Sequence, residues 1–406
     1  MRRRGEQAGP VRRALGPLAE FLREEAAGGI VLLGAAVVAL VWANSPERDG
    51  YASLWETELR LGIGSVAIEE DLRHWVNDAL MALFFFVVGL EIKRELAVGE
   101  LSERRAAALP ALAALGGALA PALVFTAIVA GGEGSAGWAI PMATDIAFAV
   151  GVLALLGGRV TDGVKLLVLA IAVVDDIIAI GVIAAFYSDD VAAGWLATAV
   201  ALLVLAYAMR RAGVVAVWPY VPVGVAVWIA TLESGIHATI AGVALGLLTP
   251  AGPVGGRRVL EELEHRLHPL SAFVAVPLFA LANAGVYLGG GKLGDAASSR
   301  VAWAIAIGLV MGKLIGIAAS VFGGVRAGVG VLPAGVDRRS AWGAAAVGGI
   351  GFTVSLFIAG LAFEGTALQD QAKVGIFAGS IASGALGAAL LTAGSGAPRR
   401  FPNDFR

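Results

Sequence analysis

Two adjacent acids, Asp175 and Asp176, stand in the middle of LLVLAIAVVDDIIAIGVIAAFY, a stretch otherwise almost wholly apolar. A helix rises about 1.5 Å per residue, so about 20 such residues cross the hydrocarbon core of a bilayer. A charged acid at that depth costs about 2.5–3.5 kcal/mol on insertion scales, and such residues mark ion and proton pathways. Three further apolar stretches carry charge. Asp145 follows Thr144 in GWAIPMATDIAFAVGVLAL; Lys313 lies in LVMGKLIGIA; Asp78, Glu91 and Glu95 lie in VNDALMALFFFVVGLEIKREL.

Carboxylate oxygens suit hard cations, and no soft ligand stands nearby. A pair of aspartates holds either a cation or protons, because a cation-bound state requires deprotonated oxygens. Competition for the same oxygens, combined with alternating access, suffices for exchange. Such a pair is doubly negative when empty, singly negative with one monovalent cation and neutral with two protons. Swapping those loads would move net charge, so the cycle would respond to membrane potential.

Each residue also has a structural reading. Asp175 and Asp176 could form an ion pair between helices, but neighbours on a helix point about 100° apart and serve one partner poorly. Asp145 could cap a broken helix, which is compatible with function. Lys313 could simply offset the deep aspartates, although a buried lysine also titrates readily. Glu91 and Glu95, four residues apart beside Lys93 and Arg94, equally suit a solvated helix end.

The elements that must position these groups follow from composition. The 406 residues are 58% hydrophobic and only 15% charged, with mean hydropathy +0.80, outside the range of soluble domains. Apolar runs between polar breaks predict an all-α polytopic membrane protein of twelve spans. The second covers 75–96, the fourth 135–157, the fifth 164–187, the ninth 269–289, the tenth 301–324 and the eleventh 341–363. If the N-terminus is inside, the connections and span ends on that side hold 23 Lys and Arg against 6 outside. By the positive-inside rule both termini are therefore expected in the cytoplasm.

Residues 1–25 and 395–406 read as cytoplasmic tails around a transmembrane unit, 26–394. The Arg-rich start is not read as a signal peptide, because the run from Ala26 to Trp42 is too long and lacks a small-residue cleavage site. The external loop 44–74 contains LWETELRLGIGSVAIEE, which predicts a short β-hairpin near 51–70.

The fourth and eleventh spans are interrupted by Pro141 and by Gly348 and Gly349. Aligning Trp138 with Trp342 also pairs Ile146 with Ile350, Phe148 with Phe352 and Val150 with Val354. Segments seven spans apart enter the membrane in opposite senses, so this similarity predicts an inverted repeat. Broken backbone in lipid must be buried or line a cavity. Crossed half-helices would aim N-terminal and C-terminal dipole ends at one point. Asp145 would offset the former and Lys313 the latter.

The absence of Cys excludes thiol chemistry and Cys-ligated metal, and no cofactor is expected. A formal net charge of −2 carries no nucleic-acid signal. An intramembrane aspartyl protease would want Gly-x-Gly-Asp, and a prenyltransferase Asp-Asp-x-x-Asp; neither pattern is present. A passive channel would not explain paired titratable acids. A proton-coupled transporter of organic substrates would offer aromatic or Arg contacts, none of them obvious at depth.

The segments NDALMALFFFVVGLEIKREL, ATDIAFAVGVLALLG, VVDDIIAI, SGIHATIAG, LEHRLHP, PLFALANAGV, GKLIGIA and GFTVSLFIAG together resemble the NhaA family of bacterial sodium/proton antiporters. They run in order from about Ala26 to about residue 390. The resemblance implies crossed broken spans four and eleven, and export of Na⁺ or Li⁺ against inward protons across the inner membrane, supporting intracellular pH and sodium homeostasis. It makes Asp175 and Asp176 the cation and proton carriers, with Thr144, Asp145 and Lys313 around them. It implies that Lys313 pairs with an aspartate, Asp175 foremost, and that Asp78 lies in the cytoplasm-facing funnel. It also makes Glu91, Glu95, His237 and Glu264 pH-response positions, and the hairpin a homodimer contact. Within the loop 250–264 only the LEHRLHP end is matched, and Glu261, Glu262, Glu264, His265 and His268 also read as a solvated helix start.

Overall fold

The computed structural model describes residues 10–63, 66–188 and 191–393. The expected tail 395–406 and residues 1–9 of the other lie outside the described residues. Helix α1 (Pro10–Ala43) already includes residues 10–25, with a proline at its first position, where no backbone N–H is needed. The apolar part of that helix, long enough to cross a membrane, is Glu25–Ala43, and Glu25 is buried.

After α2 (Arg48–Trp55), strands β1 (Glu58–Ile63) and β2 (Val66–Asp71) pair antiparallel, with Glu58 opposite Asp71 and Ile63 opposite Val66. The hairpin is narrower than 51–70. Tyr51 and Trp55, one helical turn apart, form an edge-on aromatic cluster with Trp42, which holds that segment as a helix. Asp71 then caps the short α3 (Leu72–Trp75) by accepting from the His74 amide. A π-helical turn, Val76–Leu80, leads into α4 (Met81–Ala97).

Helix α5 (Arg104–Val129) precedes the first interrupted span. That span is a 3₁₀ segment, Ser135–Met142, then extended backbone at Ala143 and Asp145, then α6 (Ile146–Leu156). Thr161 caps α7 (Asp162–Phe186), which carries both central aspartates. There follow α8 (Ala193–Arg211), α9 (Tyr220–Leu232) and α10 (Thr239–Leu248). A second π turn, Ser271–Ala275, joins α11 (Val259–Leu270) to α12 (Val276–Asn283). Beyond α13 (Lys292–Ser298), a third, Gly308–Gly312, joins α14 (Arg300–Ile307) to α15 (Lys313–Arg326). The second interrupted span is α16 (Arg338–Val347) and α17 (Phe352–Phe363), bent by 41°, and α18 (Ala367–Thr392) completes the described chain.

Among the described residues eight helices are long and apolar enough to cross a membrane, nine if the bent pair is one span. The predicted seventh and eighth spans are α9 and α10, of 13 and 10 residues. At the helical rise they reach only about 20 and 15 Å. Small residues let α10 lie directly on α4: a Cβ on Gly242 would come within 2.1 Å of the Ala82 carbonyl oxygen. Likewise a Cβ on Gly316 of α15 would meet the Gly116 carbonyl of α5 at 2.1 Å. Close backbone approach of this kind drives association where lipid supplies no hydrophobic contrast.

Candidate functional site

The two interrupted spans cross, and their unwound backbones bond to each other. The Asp145 amide donates to the Ile350 carbonyl at 2.6 Å, and the Thr144 hydroxyl donates to the Gly348 carbonyl at 2.8 Å. Ser355 completes the crossing by donating to the Ile140 carbonyl at 2.7 Å. Phe148 and Phe352 meet edge to face with ring centroids 4.7 Å apart. Thr144 with Gly348 and Phe148 with Phe352 are each equivalent positions in the repeat alignment. Both contacts therefore fall at the offset of that alignment.

Asp145 serves two helices. Its Oδ1 accepts from the Phe148 amide at 3.0 Å, capping α6. Its Oδ2 accepts from the Thr353 amide at 2.9 Å and the Thr353 hydroxyl at 2.6 Å, at the start of α17. Both half-helix N-termini thus converge on one buried carboxylate, which satisfies amides that lipid could not.

Lys313 is fully buried at the first position of α15, just beyond the third π turn. Its Nζ donates to Asp175 Oδ2 at 2.6 Å and to Thr144 Oγ1 at 3.1 Å. Through that hydroxyl the ammonium reaches the carbonyl at the C-terminal end of α16. Asp176, also buried, makes no such bond among the described residues. It lines a cavity of about 60 Å³ together with Asp145, Thr353, Glu91, Glu25 and His268. The two aspartates are therefore unequal: one is held by a cation, the other faces a space large enough to hold water.

Glu91, Glu95 and Glu264 come together where α4 meets α11. Arg94 bridges Glu264 and Glu95, the latter at 3.3 Å. Burial pushes the Glu264 carboxyl above its usual range, against the opposing pull of Arg94 and His268. The expected solvated start of α11 is only half correct. Glu264 and His268, four residues apart, are buried, whereas His265 is exposed and Glu261 and Glu262 lie at the surface beside Arg258 and Arg257.

Asp78 and His237 lie at the other end of the molecule. Asp78 lies in the π turn beside the hairpin, where its carbonyl accepts from the Trp228 indole at 3.0 Å. That is the opposite end of the span from Glu91. His237 likewise stands just before α10, within electrostatic reach of Glu364 after α17. The family's motifs carry sequence order, and only the path of α4 shows which end each residue occupies.

Three residues escaped the sequence reading. Thr353 sits inside the quoted GFTVSLFIAG, yet its repeat equivalent is Ala149, so the alignment gave no signal. Glu25 falls in the stretch that reads as a tail. His268 falls among charges that read as a solvated helix start, and its Nε2 lies 2.5 Å from Glu25 Oε1.

Interrupted spans crossed over a buried lysine, two aspartates and a double-capping carboxylate define a multi-pass membrane protein of the secondary-transporter class. Residues 19–391 match the family described as Na+/H+ antiporter 1. The chain is similar to Na(+)/H(+) antiporter NhaA 2 of Erythrobacter litoralis, 47% identical over 390 residues, 96% of this chain and 97% of that protein. It is similar to Na(+)/H(+) antiporter NhaA of Shewanella loihica at 46%, covering 90% and 94%. Na(+)/H(+) antiporter NhaA 3 of Frankia alni is 44% identical, covering 92% and 87%. The chain belongs to the NhaA family of Na⁺/H⁺ antiporters, which are transporters and not enzymes. Inverted repeats with broken helices are known architecture for that family, and the crossing described above is an instance of it.

Proposed function

We propose that this protein exchanges Na⁺ or Li⁺ for protons across the bacterial inner membrane, with both termini in the cytoplasm. One observation carries the mechanism: Lys313 holds Asp175 at 2.6 Å while Asp176 faces the cavity. In this state the ammonium and the Asp175 carboxylate cancel, and Asp176 is the open seat for a proton. A sodium ion needs oxygens from both aspartates, so it takes Asp175 away from Lys313. An ammonium buried without its carboxylate is strongly unfavourable. Lys313 therefore gives up its proton as the ion binds, and Asp176 gives up the second.

Counting from the protonated state, the site passes from neutral to singly negative as two protons leave and one sodium ion enters. The cycle is electrogenic, as the equal-pair scheme also requires, but Lys313 rather than Asp175 holds one of the protons. Asp145 and Thr144 keep the crossing intact around the seat. Glu91, Glu95 and Glu264 form the pH-responsive group; His237 and Asp78 act from the hairpin end. The hairpin has only two strands, so it leaves edge hydrogen-bonding groups open for a second copy. Exposed Leu59 and Leu61 support that dimer contact.

The test uses everted membrane vesicles holding a proton gradient. Adding NaCl or LiCl should dissipate the gradient with the unaltered protein and leave it intact with Asp176→Asn. Dissipation by Asp176→Asn at the unaltered rate would overturn the assignment. Glu91→Gln should move the pH profile of exchange, and an unchanged profile would return Glu91 to the role of a plain helix-end charge.

A further inference from the structure

Three helices that lie far apart in the chain bring a nitrogen and two carboxylates to one point. Glu25 comes from α1, Glu91 from α4 and His268 from α11, and one ligand atom of each lies within 4.8 Å of the others. Glu25 and His268 are buried. Among the described residues the Glu91 carboxylate accepts no hydrogen bond, and it faces the same cavity as Asp176. Nothing in the exchange mechanism above uses Glu25 or His268.

We propose that Glu25, Glu91 and His268 form a binding site for a divalent transition-metal ion of the Zn²⁺ class, and that this ion inhibits exchange by occupying the cavity that leads to Asp176. An imidazole nitrogen with two carboxylates is a donor set for Zn²⁺, Co²⁺ or Ni²⁺ and a poor one for an alkali cation, which prefers oxygen alone. The site is therefore chemically distinct from the seat of the transported ion. Two carboxylates held close together repel when ionised, and a divalent cation between them removes that repulsion. Three protein ligands leave the fourth tetrahedral position open, and the adjoining cavity has room for the water that fills it.

The geometry requires one adjustment. Metal–ligand bonds of about 2.0–2.2 Å at tetrahedral angles place ligand atoms about 3.4 Å apart. His268 Nε2 and Glu25 Oε1, now 2.5 Å apart, must separate by about 1 Å, so the ion replaces their hydrogen bond. Once bound, it ties α1, α4 and α11 together on one side of the crossing. Any access motion that slides those helices against each other is then blocked. Binding itself does not depend on the exchange mechanism; only the inhibition does.

Cobalt reports on the site directly. The full-length protein, purified in detergent without a polyhistidine tag, is titrated with Co²⁺ near neutral pH while its visible absorption is followed. One saturable ion per chain is expected, displaced by Zn²⁺. His268→Ala and Glu25→Gln should each weaken binding at least tenfold, and Glu262→Gln, a surface control on α11, should not. Absence of saturable binding to the unaltered protein, or unaltered affinity in both variants, overturns the site. If one variant does not fold, as judged by size-exclusion chromatography, the other decides. Asp176→Asn should still bind Co²⁺, so failure of the transport mechanism is distinguishable from failure of the metal site. In vesicles Zn²⁺ should suppress Na⁺-dependent dissipation, with the inhibitory concentration raised at least tenfold by Glu25→Gln. Full exchange at saturating Zn²⁺ overturns the inhibition.

Discussion

Asp145 holds Thr353 twice, through its amide at 2.9 Å and its hydroxyl at 2.6 Å, across 208 residues of sequence. The same carboxylate caps α6 with its other oxygen. The crossing is therefore fixed by an acceptor that belongs equally to both interrupted spans, and Asp145 has a structural purpose apart from any contact with a transported ion.

Asp145→Asn retains one acceptor oxygen and places an NH₂ group against donors. Loss of a helix cap costs about 0.5–2 kcal/mol, and a buried donor left unmatched adds about 1–3 kcal/mol. The variant should unfold at clearly lower temperature in detergent, with Thr353→Val showing part of the same loss. Equal melting temperatures for Asp145→Asn and the unaltered protein would remove the double cap from the account.

The inequality of Asp175 and Asp176 predicts opposite stability effects from the same substitution. Asp175→Asn leaves the Lys313 ammonium buried without its carboxylate and should destabilise by about 3–5 kcal/mol. Asp176→Asn removes a buried carboxyl that no cation holds and should hold or raise the melting temperature. Combining Asp175→Leu with Lys313→Met should restore most of the stability lost in Asp175→Asn while abolishing exchange. Thermal unfolding of all four proteins decides; equal losses for the two aspartate variants would contradict the asymmetric site.

Glu264 supplies a pH dependence with a definite sign. Its folded-state pKa is raised by burial, so the folded protein retains a proton that the unfolded chain releases near 4.5. The stability associated with the protonated form is complete below that value and is lost as pH rises through the folded one. Glu264→Gln cannot lose a proton there. Melting curves recorded across that interval should therefore shift in favour of Glu264→Gln as pH rises. A constant difference at every pH would show that Arg94 already balances the charge.

At the hairpin end, His74 lies between Asp71 and Glu364, with contacts of 2.7 and 2.8 Å. The hydrogen bond from His74 holds the Glu364 carboxyl below its usual range. The contact thus contributes above the ordinary glutamate pKa and is lost as pH falls through the lowered value. Glu364 is largely exposed, so solvent screening keeps the effect below about 1 kcal/mol. Glu364→Gln should speed amide hydrogen exchange in 58–71 at neutral pH, and the difference should vanish well below about pH 4. Identical exchange at neutral pH would detach the hairpin from α17.

Much of this molecule was legible from hydropathy and a handful of charges. The absence of water from a bilayer allows few backbone solutions, so apolar runs announced helices and the interruptions announced a crossing. Four paired identities located the repeat, and the contacts of Thr144 with Gly348 and Phe148 with Phe352 fall at that offset. Which carboxylate takes the lysine was different in kind. Asp175 and Asp176 are the same residue in the same local sequence, and only the rotation of α7 against α15 makes one a partner and the other a cavity wall.

Glu25 and His268 make the same point from the other side. Each sits in a polar stretch whose composition resembles any solvated helix end, and neither spacing nor hydropathy joins residues 243 positions apart. The sequence alone determined a membrane-spanning bundle with charged groups at depth, because one-dimensional hydrophobicity already encodes the choice between water and lipid. Tertiary packing alone decided the partners of those charges, because an electrostatic contact depends on distances of a few ångströms between helices that meet only after folding.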